Sequence, residues 1–151
     1  MAPHLYRQEA VCEAEEVVFQ SKIDQMEALI RDFEPVEGTV THVLLDSWYC
    51  AKRLWHAARE RGFLITTGLK SNRWLRVADE TAPGGWRGPQ LSDYVAGLSK
   101  HDYVPLKWPR SGKVVYVHVL TTSVRKLYRC QVVIVRHSAS CPACTGTLLG
   151  F

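Results

Sequence analysis

Asp46, Lys70, Asn72, Arg73, Trp74 and Arg76 are the residues of this 151-residue chain whose types and spacing could do chemistry. Asp46 follows a run of β-formers, Val40 to Leu45, and so stands where a strand ends. Its carboxylate could face a ligand there, or it could do no more than cap the helix that follows. Lys70, Arg73 and Arg76 fall within seven residues, interleaved with Asn72 and Trp74. Such a segment suits phosphate contacts with stacking on a base. Taken alone, it fits an ordinary solvated loop better.

Other constellations carry less. Cys141-Pro-Ala-Cys144 has the spacing of half a zinc knuckle or of a redox pair. A zinc site needs about four ligands, and His137 is not at a diagnostic distance from this pair. Gly84-Gly85 lacks the following Lys-Ser/Thr of a phosphate loop. Cys50 and His56 suggest a nucleophile and base only by proximity, since positions i and i+6 diverge on a helix. His42, alternating with Val43, reads as a satisfied core or sheet-face residue.

These candidates need elements to position them. Phe63 to Thr67 is again strand-like, and between the two strands an amphipathic segment runs from Ser47, a plausible N-cap, to Arg61 and stops at Gly62. Strand, helix and strand in about thirty residues is the spacing of a parallel βαβ unit. Ligands of such sheets bind at the carboxyl ends of the strands, where Asp46 and the Lys70 segment both fall. Gly68 allows an irregular exit from the second strand. Trp48, Tyr49 and Trp55 read as packing residues rather than stacking platforms.

Upstream, Phe19, Ile23, Met26, Ile30 and Phe33 recur at three- and four-residue intervals, which predicts one apolar helix face ending before Pro35. Glu27 and Arg31 make an i,i+4 pair on its other side. Downstream, the breaker-rich Ala82 to Pro89 is the best boundary. A short helix over Leu91 to Leu98 and strands over Tyr103 to Leu106, Val114 to Leu120 and Tyr128 to Val135 follow, the last two as an antiparallel pair. Residues 138–151 hold no charge and no periodicity, which predicts a disordered or foreign tail, left where a longer reading frame was interrupted.

Composition sets outer limits. Hydrophobic residues make up 46% and charged residues 23%, as in a globular domain. No apolar run approaches the roughly 20 residues that span a bilayer, and the first ten residues hold no signal-peptide core. Five scattered cysteines make no disulfide framework and fit a reducing compartment. A soluble, cytoplasmic protein without a membrane partner is expected. The net charge of +4 is unevenly spread: residues 1–46 hold 3 Lys+Arg against 10 Asp+Glu, and residues 47–151 hold 16 against 5. The basic remainder suits a polyanion, because each phosphate neutralised by Lys or Arg releases counterions.

The Asp46-Ser-Trp-Tyr49 turn, the Glu60-Arg-Gly-Phe63 bridge and the Leu69-Lys-Ser-Asn-Arg73 segment together resemble the second-aspartate region of DDE-type insertion-sequence transposases. The similarity extends from about Tyr6 to about His137. It implies an α/β fold, with a partial RNase H-like core (helix, strand, helix, strand) over 1–76 and a mostly antiparallel β insertion over 77–137. It also implies that Asp46 is a catalytic metal ligand for Mg²⁺ or Mn²⁺ and that Lys70, Asn72, Arg73, Trp74 and Arg76 contact DNA. The parent activity would be metal-dependent cleavage and strand transfer at transposon ends, near the nucleoid, with the chain itself or a full-length transposase as partner. In this family three acids share the metals. The first would lie upstream of Met1 and the final glutamate beyond Phe151, so this chain alone is expected to be inactive. The alternative is a non-catalytic module that binds DNA or pairs with a transposase through an exposed sheet edge.

Overall fold

The computed structural model describes residues 6–137 and the backbone of Cys144–Gly150. Helices α1 (Glu9–Ala14) and α2 (Lys22–Asp32) lead into strand β1 (His42–Leu45), helix α3 (Lys52–Glu60) and strand β2 (Leu64–Gly68). Strands β3 (Leu75–Ala78) and β4 (Trp86–Arg87), helix α4 (Leu91–Ala96) and strands β5 (Val104–Lys107), β6 (Val114–Val124), β7 (Arg129–Arg136) and β8 (Cys144–Gly150) complete the order. The fold is mixed α/β. No helix among the described residues is long and apolar enough to cross a membrane.

The expected βαβ unit is present. β1 and β2 pair in parallel, from His42 opposite Leu64 to Leu45 opposite Thr67. α3 packs Leu54, Trp55, Ala57 and Ala58, all at most 1% exposed, into the core beside Ile65, Leu69, Val132 and Ile134. Small Ala57 and Ala58 let the helix lie close to the sheet, and each buried large side chain contributes roughly 1.5–3 kcal/mol. α2 begins at a capping box, in which the Ser21 hydroxyl accepts from the Asp24 amide and the Asp24 carboxylate accepts from the Ser21 amide. It lies against α3 through charges: Arg53 reaches Asp24 at 2.7 Å and Glu27 at 2.6 Å, and Arg31 reaches Glu27 at 3.0 Å and Glu60 at 2.9 Å. The Ser21 and Arg53 hydrogen bonds hold Asp24 below the usual carboxylate range.

Four features depart from the sequence expectation. The helix after Asp46 does not start at Ser47. Ser47–Tyr49 is a single 3-10 turn capped by the Asp46 carboxylate, which accepts from the Ser47 amide. Cys50 then takes φ −73°, ψ 69°, with the Ala51 amide bonded to the Tyr49 carbonyl at 2.8 Å. That is an inverse γ-turn, which breaks the helix and buries the Cys50 side chain.

The expected boundary after Arg76 falls inside β3, and the breaker cluster is the turn of a hairpin. β4 pairs antiparallel with β3, while Gly84 (φ 82°) and Gly85 (φ 74°) take the left-handed conformations the turn requires. The stretch expected to be the core and the stretch expected to be an insertion share one eight-stranded sheet, in the order β1-β2-β8-β7-β6-β3-β4 with β5 on β6.

Cys144–Gly150, expected as tail, is the strand between β2 and β7, antiparallel to both. A run without charge is suited to the middle of a sheet, where every ladder group is paired and ionised side chains are costly. Residues 138–143, with Cys141 of the cysteine pair, lie outside the described residues.

The fourth departure concerns Trp48, which was expected to pack and is 78% exposed, whereas Trp55 is 1% exposed as expected. β1 forms one border of the sheet, with Leu44 at 72% and Val40 at 79% exposure beside it. Its outer ladder is unpaired among the described residues.

Candidate nucleic-acid interface

Asp46 leaves the end of β1 level with the end of β2. The Thr67 hydroxyl donates to the Asp46 carbonyl at 3.1 Å. Ser47 sits directly on Gly68, where an added Cβ would come within 3.2 Å of Ser47 Cβ. Gly68 is thus needed for close approach rather than for an irregular exit. The Asp46 side chain is exposed, and its cap to Ser47 is the bond its carboxylate makes.

Lys70 begins the tight turn that follows β2. Its ammonium lies 4.4 Å from the Trp48 ring centroid, which brings the 3-10 turn and the basic segment together. The turn closes through the Arg73 amide on the Lys70 carbonyl at 3.1 Å. From Ser71 to Trp74 the backbone is tied on two sides. The Leu91 amide donates to Arg73 and the Ser92 amide to Ser71, at 2.8 and 3.0 Å, and the Arg125 amide donates to Trp74 at 2.8 Å. The last bond seats the β6–β7 turn beside the basic segment, with Lys126 at φ 65° at the tip of the turn.

Two adjacent concavities result. The first, of about 470 Å³, is lined by Lys70, Asn72, Arg73, Trp74, Arg125 and Lys126. The second, of about 440 Å³, runs from Trp74 and Arg125 past Arg76 to Trp86, Arg87 and Gly88. Trp74 and Arg125 belong to both, so the pair is the shared wall of one groove. Arg76 stacks on Trp86 at 4.8 Å. Trp74 is 43% and Trp86 49% exposed. Among the described residues, Lys70, Arg73, Arg76, Arg125 and Lys126 form no ion pair, and Arg87 meets Asp79 at 3.5 Å.

The expected contact residues are therefore gathered: Lys70, Asn72, Arg73 and Trp74 line one concavity, and Arg76 the next. Arg76 lies in strand β3 rather than in a loop. Arg73 has a second task, since its Nη2 donates to the Cys50 carbonyl at 3.0 Å and holds the γ-turn. Sequence reasoning missed Trp48, Trp86, Arg87, Arg125 and Lys126. The basic dipeptide at a predicted hairpin tip was a visible signal for the last two; its neighbour across the groove was not.

The expected cation site fits less well. Two-ion phosphodiester chemistry needs several carboxylates on ions about 3.5–4 Å apart. Among the described residues, no three His, Cys, Asp or Glu side chains come together. Asp46 alone does not make such a site. The remaining candidates have structural explanations. Cys50 is 5% exposed and burial pushes its thiol up, against the pull of Arg73, while His56 turns to Glu60 at 3.5 Å. They are not a nucleophile and base. Burial, with Cys50 next to it, pushes the Cys130 thiol up to about 12. His42 pairs with the Thr66 hydroxyl at 2.7 Å on the sheet face.

Comparison with known protein families, with curated proteins and with solved structures finds no match.

Proposed function

We propose that this chain is the second-aspartate portion of a DDE-type, RNase H-like transposase core and that, by itself, it binds DNA without cutting it. The observation that carries the reading is the common edge of β1 and β2, where Asp46 and the turn holding Lys70 and Arg73 follow the carboxyl ends of two parallel strands. Parallel sheets bind ligands at that edge. Beside it, five cations that form no ion pair among the described residues make a surface that gains from counterion release on a polyanion. Mg²⁺ or Mn²⁺ would serve the parent reaction through Asp46 and two further acids. The described residues offer no such set, so no cleavage step is assigned to this chain.

A non-catalytic module that binds DNA or pairs with a transposase is the second reading, and the outer ladder of β1, unpaired among the described residues, favours it. One experiment tests what the two readings share, DNA binding without cleavage. Duplex DNA is titrated between roughly 50 and 200 mM salt, and supercoiled plasmid is incubated with Mg²⁺ or Mn²⁺. Binding that weakens steeply with salt, without nicking, is expected. Nicking abolished by Asp46→Ala would replace the proposal with an active nuclease. Binding independent of salt would remove DNA from both readings.

A further inference from the structure

We infer that the groove takes unpaired bases, so that its preferred ligand is single-stranded rather than duplex DNA. The inference rests on the DNA-binding reading and adds to it the form of the nucleic acid.

Charge alone would not need the residues that are present. Phosphates are held by Lys and Arg whatever the state of the bases, and four of the groove's cations, Lys70, Arg76, Arg125 and Lys126, would suffice for that. The groove also carries two indoles, on Trp74 and Trp86, and a third, on Trp48, stands next to it under Lys70; none of the three is buried. These rings, 43% to 78% exposed and brought from three separate segments to one region, offer flat apolar faces to a ligand.

The rings are also held in place. Lys70 lies over Trp48 at 4.4 Å and Arg76 over Trp86 at 4.8 Å, and with these cations in place the two residues are still 78% and 49% exposed. Trp74 is fixed by its backbone, which is bonded to the Arg125 amide and bridged to Gln90. Trp74 stands between the two concavities, with cations on either side. Cations that track a backbone, alternating with aromatic faces, are the two parts of a single-strand surface. In a duplex the base faces are stacked on each other and cannot meet an indole. In a single strand every base has a free face, whatever its identity. The surface should therefore be tolerant of sequence.

The test compares three labelled ligands of equal phosphate count per strand by fluorescence anisotropy at one salt concentration. They are a 20-nucleotide single strand, the same strand in a duplex, and a 20-unit strand of abasic sugar phosphates. The single strand should bind at least about tenfold more tightly than either of the others and should alone quench tryptophan fluorescence. Trp74→Ala combined with Trp86→Ala should abolish the preference, so that this variant binds the single strand no more tightly than it binds the abasic strand. Because the three ligands are first compared on the unaltered chain, the result does not depend on that variant folding. Equal binding of all three, without quenching, overturns the inference and leaves salt-dependent DNA binding intact. Failure to bind any of them at about 50 mM salt overturns the DNA-binding reading as well.

Discussion

Asp46 and the Lys70–Arg76 groove flank the same edge of the sheet, yet they are built on different terms. Asp46 is one carboxylate, and its bond is spent on capping the turn that follows it. The groove draws its cations from the turn after β2, from β3, from β4 and from the β6–β7 turn, and its indoles from two of these regions, with Trp48 of the turn after β1 standing beside it. Carboxylate chemistry on metals requires several acids in register, so a single member does not give a fraction of the site. A polyanion surface is close to additive, and each cation contributes its share of counterion release whether or not the others are present. On the proposed reading the two halves of one edge therefore differ: the groove would bind a polyanion by itself, and a lone carboxylate would not carry the metal chemistry by itself.

The largest effect expected from breaking this contrast is on the groove. Replacing Lys70, Arg125 and Lys126 together by Ala should lower duplex and single-strand affinity on the order of a hundredfold at low salt and reduce the salt slope by about three on a duplex and about two on a single strand. Anisotropy titrations at several salt concentrations measure both. Since these side chains are exposed and make no ion pair among the described residues, thermal stability should change little. Unchanged affinity would mean that the concavities are only surface relief.

The contrast also marks how far the sequence could be read. The βαβ unit was legible because its parts are local: a β-former run, a helix with small residues on one side, and a second run within about thirty residues. The α4 helix and the β5, β6 and β7 strands were legible for the same reason. β8 was not, because membership of a central strand is set by β2 and β7, about eighty and fifteen residues away in sequence, and not by alternation within Cys144–Gly150. The basic segment after β2 was recognised, but its partners were hidden. Arg125 joins it through a backbone bond to Trp74, and Trp86 through a hairpin that the glycines and prolines of the breaker cluster disguised as a boundary. The γ-turn at Cys50 was equally hidden, since the guanidinium that holds it comes from position 73.

Arg73 belongs to both sides of the contrast and should give an intermediate effect. Arg73→Ala should destabilise the fold by about 1.5–3 kcal/mol, the range for a hydrogen bond from a charged donor, because the Cys50 carbonyl loses its partner. Arg73→Lys should restore most of the DNA affinity, as a point charge suffices for a phosphate, but not the stability, because an ammonium does not reproduce the planar guanidinium donor. Thermal melting and anisotropy on the same two variants separate the roles. If Lys restores stability as well, the γ-turn does not depend on that bond.

The smallest effect is expected at Asp46, and its direction is the more informative for that. As a cap, the residue can be replaced by Asn with little loss, whereas Ala should cost about 1 kcal/mol, within the usual range for a lost N-cap. As a metal ligand the order would change, because Asn gives up the anionic oxygen that a hard cation selects. A melting series of the unaltered chain, Asp46→Asn and Asp46→Ala, each with and without millimolar Mg²⁺, distinguishes the two. A cap predicts that Asn resembles Asp, that Ala melts lower, and that Mg²⁺ shifts none of them. Any ligand that binds the folded state raises its melting temperature by mass action. A rise with Mg²⁺ in the unaltered chain that Asp46→Asn abolishes would make Asp46 a working ion ligand, and the edge would then hold two functions rather than one.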